Sequence, residues 1–201
     1  MRIIVIGATG TIGKAVVEAL AGRHEVLRVG HRGGDYQVDM ASRESIEQLF
    51  QAVGEFDALV SAAGQAKFGA LDGLSDGDFQ FSLGSKLMGQ VNLVRLGLAH
   101  VGDGGSFTLT SGVLASEPTP GSSAISLVNG GLEAFAGAAA LDLPRGVRVN
   151  VVSPPWVSET LEAMGRDGAA GLPAAQVARA YVESVEGSQN GEVLDAREFA
   201  Y

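Results

Sequence analysis

The chain has 201 residues, enough for a single domain, 1–201, with a sizeable hydrophobic core. Its 23 acidic side chains outnumber 14 lysines and arginines, and the resulting net charge of −9 argues against a nucleic-acid-binding surface. The lack of cysteine excludes disulfides, thiolate metal sites and a cysteine nucleophile, and no apolar run approaches the length of a membrane span. We recognise no secretion signal before the first apolar run, so we expect a cytoplasmic protein without membrane or nucleic-acid partners.

The first twenty residues predict a strand, a glycine-rich turn and a helix. Ile3–Ile6 is a continuous aliphatic run, typical of a strand buried on both faces. Gly7, Gly10 and Gly13 follow, and apolar residues at helical spacing begin at Ile12. Such a unit presents backbone amides at a helix N-terminus to a pyrophosphate, although a purely structural turn is the alternative. The cofactor-binding residues predicted here are Gly7, Thr9, Gly10, Thr11, Ile12 and Gly13.

The second predicted strand, Glu25–Val29, leads into a turn that bears on the choice of cofactor. In a dinucleotide-binding fold this turn meets the adenosine ribose, where an acid accepts from the 2′-hydroxyl and a base accommodates a 2′-phosphate. The turn supplies His31 and Arg32, and no acid precedes Asp35. We therefore expect NADP(H) to be preferred over NAD(H), the alternative being a solvated basic turn.

Strands and helices continue to alternate along the rest of the chain. Further strands are predicted at Tyr36–Asp39, Asp57–Ser61, Ser106–Thr110, Val147–Val152 and Glu192–Asp195. Helices are predicted after Ser42, from Ser75 to Val101, from Ser122 to Leu141 and from Pro173. This alternation predicts an α/β fold, a Rossmann-type doubly wound parallel sheet of about seven strands with helices on both faces.

Several segments resemble the short-chain dehydrogenase/reductase family, and the resemblance covers essentially the whole chain. Ser61–Gly64 is similar to the Asn-Asn-Ala-Gly segment after the fourth strand, and Ser111 follows the fifth strand where the family has its catalytic serine. Arg148–Val157 resembles the sixth strand and the cofactor loop behind it. The resemblance implies an oxidoreductase that acts on a small carbonyl or alcohol. It adds as cofactor-binding residues Asp39, Ser61, Ala62, Ala63, Gly64, Asn129, Pro154, Trp156 and Val157.

The chain departs from the family where the Tyr-x-x-x-Lys pair is expected. Counting back from Gly131–Phe135 places Asn129 at the lysine position and Ile125 at the tyrosine position. Isoleucine cannot donate the proton that a developing alkoxide needs, and general acid catalysis is worth about 10²–10⁴-fold in rate. Two functions therefore stay open: a reductase with a non-standard proton donor, and a catalytically silent NADP(H)-binding sensor or regulatory protein.

Three residues are candidates for the functions of the absent tyrosine and lysine. Ser111 would polarise a carbonyl as a hydrogen-bond donor, unless it is only a satisfied strand-end hydroxyl. Lys86 lies three residues before Gly89, where the family has an asparagine, and its ammonium would supply a proton or stabilise an alkoxide. The alternatives for Lys86 are a solvated helix lysine and a structural partner of a loop carbonyl. Asn129 would hydrogen-bond the nicotinamide ribose in place of the lysine.

Metal and partner sites can also be assessed from the sequence. The three histidines lie far apart and lack ligand spacing, so we expect no metal site. Small residues on the Ser75–Val101 helix favour close contact with another helix. Because members of the family commonly pair through their two long helices, these residues predict a homodimer or homotetramer. The resemblance also implies a small-molecule substrate.

Overall fold

The computed structural model describes residues 1–200. Its strands are β1 (Arg2–Ile6), β2 (Glu25–Gly30), β3 (Tyr36–Gln37), β4 (Phe56–Ser61), β5 (Val101–Thr110), β6 (Arg148–Ser153) and β7 (Val193–Asp195). All seven pair in parallel in the order β3-β2-β1-β4-β5-β6-β7. The order reverses direction between β1 and β4, so the sheet is doubly wound, as the alternating pattern predicts.

Helices connect all successive strands except β2 and β3, which are joined by a turn, and they cover both faces of the sheet. The α-helices are α1 (Thr11–Ala21), α2 (Arg43–Val53), α3 (Asp76–Ser82), α4 (Gly89–Gly97), α5 (Ser123–Asp142), α6 (Ser158–Ala163) and α7 (Ala174–Glu186). A π-helical segment, Leu83–Met88, joins α3 to α4. The short helix α6 was not predicted from the sequence.

The two faces of the sheet bury separate hydrophobic cores. Successive residues of a strand point to opposite faces, so Ile4 and Ile6 enter one core while Ile3 enters the other. The first core packs under α2, α4 and α5 and contains the fully buried rings of Phe50 and Phe107. The second packs under α1 and α7. The aliphatic run of β1 is therefore buried on both faces, as its sequence predicts.

The predicted helix Ser75–Val101 is wrong at its C-terminal end. Helical structure begins at Asp76 and ends at Gly97, and Val101 instead opens β5, where it pairs with Phe56. Val101 fits the helical period, but it also fits a buried strand position, and periodicity alone cannot separate the two. The strand β3 is likewise two residues shorter than predicted.

Helix α5 is long and apolar enough to cross a membrane by length and composition alone. Its inner face, which includes Val128, Leu132 and Ala136, is fully buried within this fold. The core helix of a soluble protein passes the same test.

Candidate active site

The glycine turn between β1 and α1 holds the helix directly against the backbone of the strand. Gly7 has a φ of +82°, and its carbonyl accepts from the Gly10 amide at 2.9 Å. A Cβ at Gly13 would lie 2.0 Å from the Gly7 oxygen, so only glycine allows this approach. No side chain caps α1, whose Ncap is Gly10. The amides of its first turn are therefore available to an anion.

The turn after β2 lies beside this glycine turn and exposes its basic side chains. His31 and Arg32 are both exposed. The carboxylate of Asp35 is already engaged, since it accepts from the Arg28 backbone amide at 2.9 Å and from the Arg28 guanidinium at 2.7 Å. These bonds lower the pKa of Asp35. The acid that would otherwise favour a ribose 2′-hydroxyl is thus paired with an arginine.

Asp39 is exposed after β3 and organises the entry to α2. Its Oδ1 accepts from the Ala41 amide at 2.9 Å, and its own amide donates to Ser45 Oγ at 2.9 Å. The structure therefore gives Asp39 a local structural role, and its predicted contact with adenine stays a prediction.

A cavity of about 240 Å³ opens at the C-terminal edge of the sheet, beside the glycine turn. The predicted site residues that line it are Ile12, Ala62, Ala63, Gly64, Lys86, Ser111, Asn129, Pro154, Trp156 and Val157. Ile125 also lines it, together with residues given no role from the sequence: Thr110, Gly112, Val113, Leu114, Pro155 and Thr160. The other predicted site residues, Gly7, Thr9, Gly10, Thr11, Gly13, His31, Arg32, Asp39 and Ser61, lie outside this lining.

Lys86 enters the cavity from the π-helical segment and is only 8% exposed, so the solvated alternative is wrong. Its Nζ donates to the carbonyl of Ser111, in the loop after β5, at 2.9 Å, so the contact with a loop carbonyl that was the other alternative is present. Gly64 allows the approach, because a Cβ there would lie 3.0 Å from Lys86 Cα. The buried Gln90 amide bridges the Lys86 carbonyl to the backbone of Thr110 and so fixes this segment to β5. Burial lowers the pKa of Lys86 to about 8.

Ser111 is held by a carboxylate that sequence reasoning missed. Its Oγ donates to Glu133 Oε1 at 2.8 Å, and Glu133 is half-buried on α5. Glu133 lies four residues after Asn129 and therefore on the same face of the helix, one turn further on. That spacing was the available signal, but it does not show that Ser111 approaches this particular turn.

Asn129 is buried and has one unused polar atom. Its Nδ2 donates to the Gly112 carbonyl at 3.3 Å, while its Oδ1 has no hydrogen-bond partner among the described residues. A buried amide oxygen without a partner is costly, so a donor from a bound molecule would stabilise it. Asn129 Oδ1 is therefore suited to accept a hydrogen bond from a ribose hydroxyl in the cavity.

Tyr181 approaches the site from the opposite face of the sheet. Its hydroxyl lies 2.7 Å from Thr110 Oγ1, which itself donates to the Ser61 carbonyl. Tyr181 must therefore donate to Thr110. The ring is fully buried, and burial raises the pKa of its hydroxyl. This tyrosine is a structural anchor of β5 rather than an accessible acid.

Comparison with known proteins decides the family. A family model described as "Enoyl-(Acyl carrier protein) reductase" matches residues 3–192. The chain belongs to the short-chain dehydrogenase/reductase family. An uncharacterized oxidoreductase from Methylorubrum extorquens is 28% identical to this short-chain dehydrogenase/reductase over 199 residues, covering 85% of this chain and 80% of that protein.

Solved structures share the fold over nearly the whole length of the chain. The Listeria innocua protein lin1944 has a TM-score of 0.93 and 42% identity, covering 97% of this chain and 98% of that one. A small-chain dehydrogenase solved in complex with NADPH has a TM-score of 0.85 and 25% identity, covering 97% of this chain and 95% of that one. The protein is thus an oxidoreductase of the short-chain dehydrogenase/reductase type, a family that uses a nicotinamide cofactor.

Proposed function

We propose that this short-chain dehydrogenase/reductase is an NADP(H)-dependent cytoplasmic enzyme that interconverts a small carbonyl compound and its alcohol with a non-standard proton donor. The supporting observation is the cavity itself, which brings a buried lysine, a serine and an asparagine together beside the glycine turn. Purified protein is expected to turn over members of a carbonyl and alcohol panel with NADPH or NADP⁺. Cofactor binding without any turnover across the panel would contradict catalysis.

The residues present suit a dinucleotide along this edge of the sheet. The uncapped amides at the start of α1 suit the diphosphate, and the unpartnered Oδ1 of Asn129 suits a hydroxyl of the nicotinamide ribose. The relative solved with NADPH supports the same cofactor class. When bound, the cofactor supplies the hydride, and the chain itself must supply or receive the proton.

We assign to Lys86 the role of proton donor. Lys86 lines the cavity, and its ammonium uses one of three N–H bonds on the Ser111 carbonyl, which leaves two donors for a substrate oxygen. Lys86 itself is shielded from solvent, and a cation in such surroundings stabilises a developing alkoxide far more than in water. A pKa near 8 also suits proton transfer close to neutral pH.

The preference for NADP(H) is expected to depend on Arg32. Arg32→Ala removes an exposed cation beside the adenosine site, and a charged hydrogen bond to a phosphate is worth roughly 1.5–3 kcal/mol. We expect the Kd for NADPH to rise about tenfold or more while the Kd for NADH is unchanged, as measured by cofactor fluorescence. The control is Arg43→Ala, which removes an exposed arginine that pairs with Glu47 on α2. Equal losses for both cofactors would contradict the 2′-phosphate role.

A silent NADP(H)-binding sensor is the second candidate function. The observation favouring it is that Ile125, an inert side chain, lines the cavity; the sequence comparison predicts this position to be that of the family's tyrosine. Reduction that depends on both NADPH and Lys86 would exclude it.

We also propose a homodimer or homotetramer formed through the two long helical segments. Apolar side chains are exposed there: Met88 at 41%, Leu127 at 51% and Leu141 at 88%. Association through these helices would remove such side chains from water. Light scattering is expected to give two or four times the chain mass of 20.6 kDa. A single-chain mass at micromolar concentration would contradict this assembly.

A further inference from the structure

The hydroxyl proton of Ser111 is already in use. A serine hydroxyl has one proton and two acceptor lone pairs, whereas an ionised carboxylate only accepts. Because Ser111 Oγ donates to Glu133 Oε1 at 2.8 Å, the hydroxyl can offer only lone pairs to a molecule in the cavity. This is the reverse of a serine that polarises a carbonyl.

The backbone around Ser111 is held by three different elements. The Ser111 amide donates to the Val152 carbonyl on β6 at 2.9 Å, and its carbonyl accepts from Lys86. The next carbonyl, of Gly112, accepts from Asn129 on α5. Ser111 is only 3% exposed, so the residue has little freedom to turn away from Glu133.

Lys86 and Ser111 therefore present opposite hydrogen-bonding characters to the same cavity. The Lys86 ammonium is a donor without acceptor capacity, and Ser111 Oγ is left as an acceptor. A substrate hydroxyl satisfies both, because its oxygen accepts from Lys86 while its proton is donated to Ser111. A carbonyl oxygen satisfies only Lys86 and leaves the serine lone pairs unpaired, which is costly in a buried site.

We propose that Glu133 is a positioning residue that fixes Ser111 as a hydrogen-bond acceptor, so that the cavity binds its substrate preferentially in the alcohol form. This inference rests on the oxidoreductase function proposed above and specifies the substrate group that the site recognises.

The test compares two probes on protein saturated with oxidised NADP. 1-Methylcyclohexanol donates a hydrogen bond but carries no carbinol hydrogen to lose, and cyclohexanone only accepts and cannot be reduced by an oxidised cofactor. Neither probe reacts, so their Kd values can be measured by NMR titration. We expect the wild-type protein to bind the alcohol at least tenfold more tightly than the ketone.

Glu133→Met should abolish most of this preference, because the serine proton becomes free to serve the ketone. In a Ser111→Ala background the same substitution should have no further effect, since the carboxylate acts only through the hydroxyl. Glu55→Met, which changes an exposed carboxylate at the other end of β4, is the control for loss of charge. If Glu133→Met fails to fold, Ser111→Ala alone should remove the preference.

Three results would overturn the inference: an unchanged preference in Glu133→Met, an effect that persists without the serine hydroxyl, or binding of neither probe to cofactor-loaded protein. A separate result, no saturable binding of NADP(H) at all, would instead overturn the proposed function.

Discussion

Lys86→Met is expected to lower carbonyl reduction by about 10²–10³-fold, the usual cost of removing a general acid or an electrostatic stabiliser. The same change should stabilise the fold. Burial lowers the pKa of Lys86 to about 8, so the folded state holds a charge at pH 7 at a cost of at most roughly 3 kcal/mol. Methionine fills similar volume without that cost, although the Ser111 carbonyl loses its donor. We therefore expect the free energy of unfolding to rise by about 1–2 kcal/mol at pH 7.

The lowered pKa of Lys86 also determines how the stability of the fold and the rate of reduction change with pH. Because the folded-state pKa of Lys86 is depressed, the unfolded chain binds more protons between about pH 8 and the ordinary lysine value of 10.5. The contribution of this group to stability therefore increases with pH across that window, and the advantage of Lys86→Met should vanish above it. Reduction by the wild-type enzyme should fall as the pH rises through about 8, because the ammonium is lost.

Denaturant melts and initial rates measured from pH 6 to 10 check both parts of this prediction. Lys67→Met is the matched control, since Lys67 is an exposed lysine whose ammonium lies 5.0 Å from the Phe81 ring. A purely structural Lys86 would give the opposite pattern, with lower stability and little change in rate.

Restoring the family's acid pair is expected to raise carbonyl reduction substantially. Ile125 and Asn129 both line the cavity one helical turn apart, so Ile125→Tyr with Asn129→Lys would bring a phenol and an ammonium to the same wall. A positioned general acid contributes about 10²–10⁴-fold. Because the role proposed for Lys86 accounts for part of this effect, we expect a gain of roughly 10–100-fold in kcat, measured with NADPH and a carbonyl panel.

A variant that lacks the hydroxyl is the control for this restoration. Ile125→Phe adds an aromatic ring of similar size without the hydroxyl and should give no gain. An unchanged rate in the double variant with intact NADPH binding would show that the register assigned to α5 is wrong.

The fold and the geometry of the glycine turn follow from local patterns. The buried run Ile3–Ile6 needs two covered faces, and the glycine spacing behind it permits the close contact between Gly13 and the Gly7 carbonyl. These features depend on neighbouring residues, so the sequence predicts them well. The boundary at Val101 does not follow in the same way, since its partner Phe56 lies on another strand.

The chemistry of the cavity depends on contacts that local patterns do not contain. Lys86 is buried on a π-helical segment that Gln90 fixes to the end of β5, and neither feature is visible in the local sequence pattern. Glu133 acquires its relation to Ser111 only when α5 packs beside the end of β5. Each of these contacts joins residues at least 20 positions apart, beyond the reach of a periodicity argument.

We propose that a nicotinamide dinucleotide lies with its diphosphate on the amides at the start of α1. Fluorescence titration with NADPH tests it most directly, using wild-type protein, Gly13→Ala and Gly22→Ala. A Cβ at position 13 would meet the Gly7 oxygen at 2.0 Å, whereas a Cβ at Gly22 would meet nothing within 4 Å. We expect saturable binding by the wild type and Gly22→Ala, and an affinity at least 100-fold lower in Gly13→Ala with its helical circular dichroism retained. No saturable binding by the wild type, or equal binding by all three, would contradict it.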